Sequence, residues 1–204
     1  MQVAKKPLIK TYQTPIKFLM LSQCFAFSSR KRMLATGESY KEACVRGQLK
    51  NTLSVFIFSL RNFLSASCKL NSKRSKAFLS AGRCFNSATA SVTACYRQVV
   101  GRLVTGRGIR ESKVKLAQLC CTYVRSIECY QAVARTSGGC SEAQSKDVVG
   151  LIRAAFEDSI NLLCGDYSEH TDRCDRFSFV TKSSTSGQKA YSFIMSAIQI
   201  VADL

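Results

Sequence analysis

Eight cysteines between residues 84 and 174 constrain the fold of this chain more than any other feature. They lie within segments of helical periodicity, at Cys84, Cys95, Cys120, Cys121, Cys129, Cys140, Cys164 and Cys174. Paired C-x-x-C spacings, which a structural zinc site would need, do not occur among them. Eleven cysteines in 204 residues is a high content for a reduced cytosolic protein. The sequence therefore predicts disulfide cross-links and a secreted, extracellular protein.

The even number of cysteines after residue 40 extends this predicted framework. Cys24 lies in an apolar run from Phe18 to Phe27, and removal of that run as a signal sequence would leave ten cysteines that can all pair. The alternative is that Cys24 stays as a free thiol or bonds another chain. Spacing alone does not determine the partners. The predicted members are Cys44, Cys68, Cys84, Cys95, Cys120, Cys121, Cys129, Cys140, Cys164 and Cys174.

Hydrophobic periodicity predicts helices over residues 39–66, 77–85, 91–103, 111–135 and 141–164. Ser39 with Glu42 three residues later predicts a capping box, and Ser141 predicts a second N-cap. Gly165 predicts a left-handed residue after the last helix, and Thr105–Gly108 predicts a break. No segment shows sustained strand-like alternation. The predicted class is all-α, a disulfide-stapled bundle of four to five helices.

The adjacent pair Cys120 and Cys121 adds a geometrical constraint. Neighbouring residues on a helix point about 100° apart, so their thiols cannot easily bond each other. We expect them to connect their helix, residues 111–135, to two different neighbours. The sequence therefore predicts that this helix is central.

The chain divides into three parts by composition. Residues 1–38 are predicted to be a signal or propeptide segment, or an incorrectly assigned N-terminus, since the apolar run is preceded by lysines. Residues 39–176 form the predicted cysteine-rich helical domain, and residues 177–204 a polar linker with an apolar tail. No run approaches the roughly 20 apolar residues of a membrane-spanning helix.

Several short segments carry a resemblance to a known group of proteins. These segments are Phe78–Asn86, Leu119–Cys129, Gly139–Cys140 and Leu163–Cys174. In cysteine spacing and flanking residues, the chain over about residues 40–176 resembles uncharacterised secreted cysteine-rich proteins of arthropods. The resemblance implies a secretory signal before the first framework cysteine, an all-helical fold and no assigned enzyme function.

No catalytic or cofactor motif stands out. Gly101–Gly108 resembles a phosphate-binding loop but has Arg107 and Gly108 where that motif needs lysine and a hydroxyl, which favours a basic loop between helices. His170 is interpreted as an exposed loop residue. The acidic residues near it lack the order of a calcium loop, which favours a solvated turn; they are Asp166, Glu169, Asp172 and Asp175. We expect a non-enzymatic protein without metal or cofactor.

Charge is the sequence feature with the clearest functional content. The net charge is +17, and residues 1–100 carry 17 basic and 2 acidic side chains. Such a cationic half attracts polyanions. The predicted partners are anionic glycans, lipid head groups or acidic proteins, with no specific nucleic acid. Predicted anion-binding residues are Lys69, Lys73, Arg74, Lys76 and Arg83.

The aromatic residues support a different hypothesis. A helical bundle can enclose a small apolar cavity, as an extracellular or haemolymph-type carrier of a lipid-like ligand would. The residues that motivate it are Phe56, Phe58, Phe63, Phe78 and Phe85.

Overall fold

The computed structural model describes residues 27–69, 71–136, 139–167, 172–180, 193–202 and 204. Within these residues the chain forms α-helices, one short 3-10 helix at Gly165–Tyr167, and no strand. The all-α class is therefore confirmed. The helices are α1 (Phe27–Cys44), α2 (Gln48–Ser67), α3 (Lys73–Ser87), α4 (Thr89–Arg107), α5 (Ser112–Thr136), α6 (Glu142–Cys164) and α7 (Phe193–Ala202).

The first predicted helix, residues 39–66, is in fact divided between α1 and α2. Gly47 precedes α2 with a φ of 62°, a conformation that residues with a side chain rarely adopt. Ser39 lies inside α1, so the predicted capping box with Glu42 is wrong; Glu42 pairs with Lys50 instead. The apolar stripe begins beyond Gly47 and therefore did not indicate this break. The apolar run that includes Cys24 lies almost entirely outside the described residues.

The helix ends differ from the predictions in three further places. Ser72 accepts a hydrogen bond from the Ser75 backbone N–H, so α3 begins at Lys73 and not at residue 77. Residues 101–107 continue α4, so the predicted basic loop is wrong; the helix ends at Arg107, within the predicted break at Thr105–Gly108, and Gly108 is its C-cap. Gly165 has a φ of −50° and begins the 3-10 helix, so it is not left-handed as predicted.

The N-terminus of α6 follows the prediction. The Ser141 hydroxyl accepts from the Gln144 backbone N–H, and the Gln144 side-chain oxygen accepts from the Ser141 backbone N–H. This reciprocal pair satisfies two backbone donors that the helix itself cannot satisfy.

Helix α5 is the centre of the bundle, as predicted. It packs against α4, α6 and α7. The five consecutive residues Cys120–Val124 are all buried. Because five successive positions cover every side of a helix, α5 is surrounded by protein in this region.

Four disulfides connect the helices around α5. Cys120 bonds Cys164 at the end of α6, and Cys121 bonds Cys174, so the adjacent thiols do have different partners. The other two bonds are Cys95–Cys129, between α4 and α5, and Cys84–Cys140, between α3 and the residue before the α6 cap.

The two earlier cysteines of the predicted framework differ from each other. Cys68 is disulfide-bonded. Cys44 is an exposed free thiol at the end of α1, so the prediction that it belongs to the framework is wrong. An even number of cysteines permitted full pairing but could not require it.

A buried glutamine and a glycine position the C-terminal part of the chain. Gln118 donates to the Arg102 backbone oxygen (3.1 Å) and accepts from the Val180 backbone N–H (3.2 Å). A Cβ at Gly106 would lie 3.1 Å from the Ile200 side chain, so glycine allows α7 to approach α4 closely. Ile200 is fully buried there. The predicted apolar tail is therefore a docked helix.

We predict that the double variant Cys120→Ala/Cys164→Ala is strongly destabilised. The bond closes a 44-residue sequence separation. By loop-closure entropy, its loss should lower the free energy of unfolding by about 3–4 kcal/mol. Denaturant unfolding followed by circular dichroism measures this change.

Cys44→Ala is the matched control, because this thiol is exposed and unbonded. Its free energy of unfolding should change by less than about 0.5 kcal/mol. Alkylation without reduction should label Cys44 and leave Cys120 and Cys164 unlabelled. Equal destabilisation by the two substitutions would contradict the assigned pairing.

Candidate functional site

An apolar cleft of about 400 Å³ lies between α3, α4, α5, α6 and α7. Its aromatic lining consists of Phe85, Tyr96, Tyr123, Tyr130, Phe156 and Phe193. Val92, Val99, Ser126 and Ile152 complete its walls. We call this the outer cleft.

Helical spacing explains why these side chains meet. On α4, positions 92, 96 and 99 lie on one face, and on α5, positions 123, 126 and 130 do the same. Positions 152 and 156 form the corresponding pair on α6. The disulfide Cys95–Cys129 joins α4 and α5 immediately beside Tyr96 and Tyr130. The cleft walls are therefore covalently linked at this edge.

A second apolar space adjoins the outer cleft and has a volume of about 70 Å³. We call it the inner cavity. The two spaces share Tyr123, Phe156 and Phe193 in their linings. The rings of Phe156 and Phe193 meet edge to face, with centroids 5.3 Å apart. This ring pair forms part of the wall between the outer cleft and the inner cavity.

Most of the remaining lining of the inner cavity is aliphatic, and Phe56 from α2 also contributes. The aliphatic residues include Leu49, Leu53, Leu119, Ile160, Leu163 and Ile198. Ser159 also lines this cavity and is 6% exposed, and its hydroxyl has no hydrogen-bond partner among the described residues. A buried polar group without a partner costs about 1–3 kcal/mol. The inner cavity therefore contains one unsatisfied polar atom in an apolar surrounding.

The polar groups of the outer cleft are hydroxyls. Ser126 donates its proton to the Tyr123 backbone oxygen at 2.6 Å. Tyr96 is 44% exposed, and Tyr130 lies deeper, with its ring centroid 5.7 Å from that of Phe85. Burial, with a smaller effect of neighbouring Tyr96, raises the pKa of Tyr130 to about 12. Tyr130 is therefore a neutral hydroxyl at physiological pH.

Only two of the five phenylalanines predicted to enclose an apolar ligand line these spaces. Phe85 lines the outer cleft and Phe56 the inner cavity. Phe63 and Phe78 pack against each other, with centroids 6.2 Å apart, and Phe58 is 57% exposed. Tyr96, Tyr130, Ile152 and Phe156 also line the outer cleft but were not predicted as ligand-binding residues, although each lies on an apolar helical stripe.

The five predicted anion-binding residues lie on α3 and just before it. Lys69, Lys73, Lys76 and Arg83 are exposed, and the Arg74 guanidinium lies 5.9 Å from the Phe63 ring centroid. Within the described ranges, no carboxylate forms an ion pair with any of the five. We call these five residues the basic face.

Other basic side chains of the bundle do have acidic partners. Lys41 lies 2.6 Å from Glu38, and Arg61 lies 3.0 Å from the same carboxylate. Hydrogen bonding to Lys41 lowers the pKa of Glu38. The positive charge of the basic face is thus less compensated than that of α1 and α2.

The described acidic residues of the turn near residue 170 form ion pairs. Asp175 lies 3.0 Å from Arg125, Asp166 lies 3.5 Å from Arg173, and Asp172 pairs with Arg176. His170 and Glu169 lie outside the described residues. Each described carboxylate of this turn therefore has an arginine partner.

Comparison with protein-family models, curated proteins and solved structures finds no significant match to this chain. The resemblance to secreted cysteine-rich proteins of arthropods thus stays a prediction. Among the described helices, none combines the length and apolar character that crossing a bilayer requires.

We predict that Tyr130 titrates well above an ordinary tyrosine, whose pKa is about 10. Ultraviolet absorbance of tyrosinate should show a step near pH 12 that disappears in Tyr130→Phe. Because the pKa is raised in the folded state, the stability linked to this proton is complete below pH about 10. It is lost as the pH rises towards 12. Loss of a step near the ordinary tyrosine pKa of about 10 in Tyr130→Phe, in place of the step near pH 12, would contradict the burial of this hydroxyl.

Proposed function

We propose that this protein is an extracellular, non-enzymatic carrier that binds an apolar, lipid-like small molecule in the outer cleft. The observation that carries the proposal is the aromatic cleft of about 400 Å³. Its volume falls within the roughly 300–1,000 Å³ of small-molecule sites. Six aromatic rings and three aliphatic side chains offer an apolar ligand extensive contact.

The chemistry of the lining supports binding more than catalysis. The described side chains that line the outer cleft include hydroxyls but no carboxylate or imidazole to act as a general base. Nucleophilic catalysis would need such a base beside an activated nucleophile. The cleft of the described structure therefore fits a carrier.

The four disulfides support the extracellular part of the proposal. Such bonds persist in oxidising compartments and are rare in the cytosol. Three of them fix α5 to its neighbours, two of which supply cleft walls. Secretion would thus also preserve the shape of the binding site.

We predict that Ile152→Trp weakens binding of an apolar fluorescent probe by at least about tenfold, equivalent to 1.4 kcal/mol. Ile152 lines the outer cleft from α6, and the indole would occupy space that the ligand needs. Fluorescence titration of the purified, oxidised protein measures the dissociation constant.

Leu162→Trp is the matched control, because it introduces the same ring on the same helix at a position that is 58% exposed. Its probe affinity should stay within about twofold of the unmodified protein. Failure of the unmodified protein to bind apolar probes would refute the carrier function. Equal loss in both variants would place the probe elsewhere.

The basic face supports a second candidate function, binding of sulfated glycans or other anionic partners. Four of its five side chains are exposed, Arg74 is half-buried, and within the described residues none of the five has an acidic partner. Positive charge arranged in this way attracts polyanions over about 8–10 Å at physiological ionic strength. The cleft and the basic face use different residues, so both functions can occur in one protein.

We predict that the triple variant Lys73→Glu, Lys76→Glu and Arg83→Glu elutes from immobilised heparin at markedly lower salt. Arg74 is left unchanged because its guanidinium lies near the Phe63 ring. Elution in a linear salt gradient measures the effect.

A second triple variant controls for net charge: Arg46→Glu, Arg110→Glu and Lys113→Glu. These exposed residues lie outside α3, and the change in net charge is the same. Its elution should shift less than that of the α3 variant. Equal shifts would show that net charge, and not the basic face, governs retention.

A further inference from the structure

The proposed carrier function leaves open which kind of apolar molecule occupies the outer cleft, and the inference below rests on that function. We propose that the ligand is an uncharged amphiphile with one hydroxyl or carbonyl group. Its polar end bonds to the hydroxyls of Tyr96 and Tyr130, and its apolar body extends towards the rings of Phe156 and Phe193.

The absence of charge from the cleft lining selects against an ionised ligand. Among the described residues, no lysine, arginine, aspartate or glutamate lines the outer cleft or the inner cavity. Arg97 follows Tyr96 on α4 but is exposed and does not contribute to the lining. A buried carboxylate would lose its hydration without gaining an ionic partner, which is strongly unfavourable. A neutral hydroxyl or carbonyl loses far less.

Tyr96 and Tyr130 present two hydroxyls that are available to such a polar group. Ser126 already uses its proton on the Tyr123 backbone oxygen. Neither Tyr96 nor Tyr130 makes a hydrogen bond to another described side chain or backbone group. A phenol both donates and accepts, so the pair can bond a hydroxyl or a carbonyl. The raised pKa of Tyr130 keeps its proton in place for donation.

The positions of these groups give the ligand a direction. Tyr96 is 44% exposed, which places it at the mouth of the cleft. Phe156 and Phe193 contribute to both the outer cleft and the inner cavity, so they lie on the side of the cleft that adjoins the inner cavity. A ligand with its polar end outward and its apolar body inward therefore matches the polarity of the walls.

Competition against a bound apolar fluorescent probe tests this inference with the oxidised full chain. The competitors are a long-chain primary alcohol, the carboxylic acid of the same chain length, and the methyl ester of that acid. At neutral pH, we expect the alcohol and the ester to bind at least about tenfold more tightly than the carboxylate. Below the pKa of the free acid, its affinity should rise towards that of the ester.

Tyr130→Phe separates recognition of the polar group from apolar packing, because the ring is retained. It should weaken binding of the alcohol about three- to tenfold more than it weakens binding of the probe, because only the alcohol loses a hydrogen bond. Tyr40→Phe, on α1 and outside the cleft lining, should change neither.

The outcomes distinguish this inference from the function on which it rests. Probe binding with a carboxylate preference, or with no effect of Tyr130→Phe on the alcohol, would overturn the uncharged ligand and keep the carrier. If no apolar probe binds, both proposals fail. Selective weakening of the alcohol in Tyr130→Phe, with retained probe affinity, would support both.

Discussion

The covalent attachment of α5 on two of its faces is the constraint on which the rest of the structure depends. Cys120 and Cys121 are adjacent, fully buried, and bonded to Cys164 and Cys174. Because adjacent helical positions point about 100° apart, these bonds fix the rotation of α5 as well as its position. Cys95–Cys129 adds a link to α4. The faces of α4 and α5 that line the cleft are consequently held towards each other.

This covalent frame explains how the bundle retains an unfilled space. A cavity in an apolar core reduces stability, and surrounding side chains relax only in part to fill it. Cross-links lower the entropy of the unfolded chain and so offset such a loss. Buried polar groups that lack a hydrogen-bond partner in the described part of the chain also reduce stability. They include Ser159 in the inner cavity, and Ser196 and Gln199 on α7. The bundle thus combines strong covalent restraint with incomplete internal packing.

The sequence predicted the global class better than the site, and the reason is physical. Cysteine content and apolar stripes are properties of single segments, so the all-α fold and the separate partners of Cys120 and Cys121 followed from them. The break at Gly47 was not predicted because the apolar stripe begins beyond this residue and therefore does not show where α1 ends. Ser39 shows the complementary error, since a capping sequence inside a helix looks the same as one at its start.

The cleft could not be predicted because it depends on distances between helices remote in sequence. Tyr96 and Ile152 both line it, although 56 positions separate them in the chain. Phe58, which is exposed, and the packed pair Phe63 and Phe78 were wrongly predicted to enclose an apolar ligand. Composition does not show which ring faces an unfilled space. The basic face was easier to predict than the cleft, because short helical spacing brings Lys73 and Lys76 together.

Uncompensated charge lies on α3, while the described lining of the cleft is uncharged. Binding of a polyanion and binding of an apolar ligand should therefore differ in salt dependence. Screening weakens polyanion attraction and leaves apolar burial largely intact.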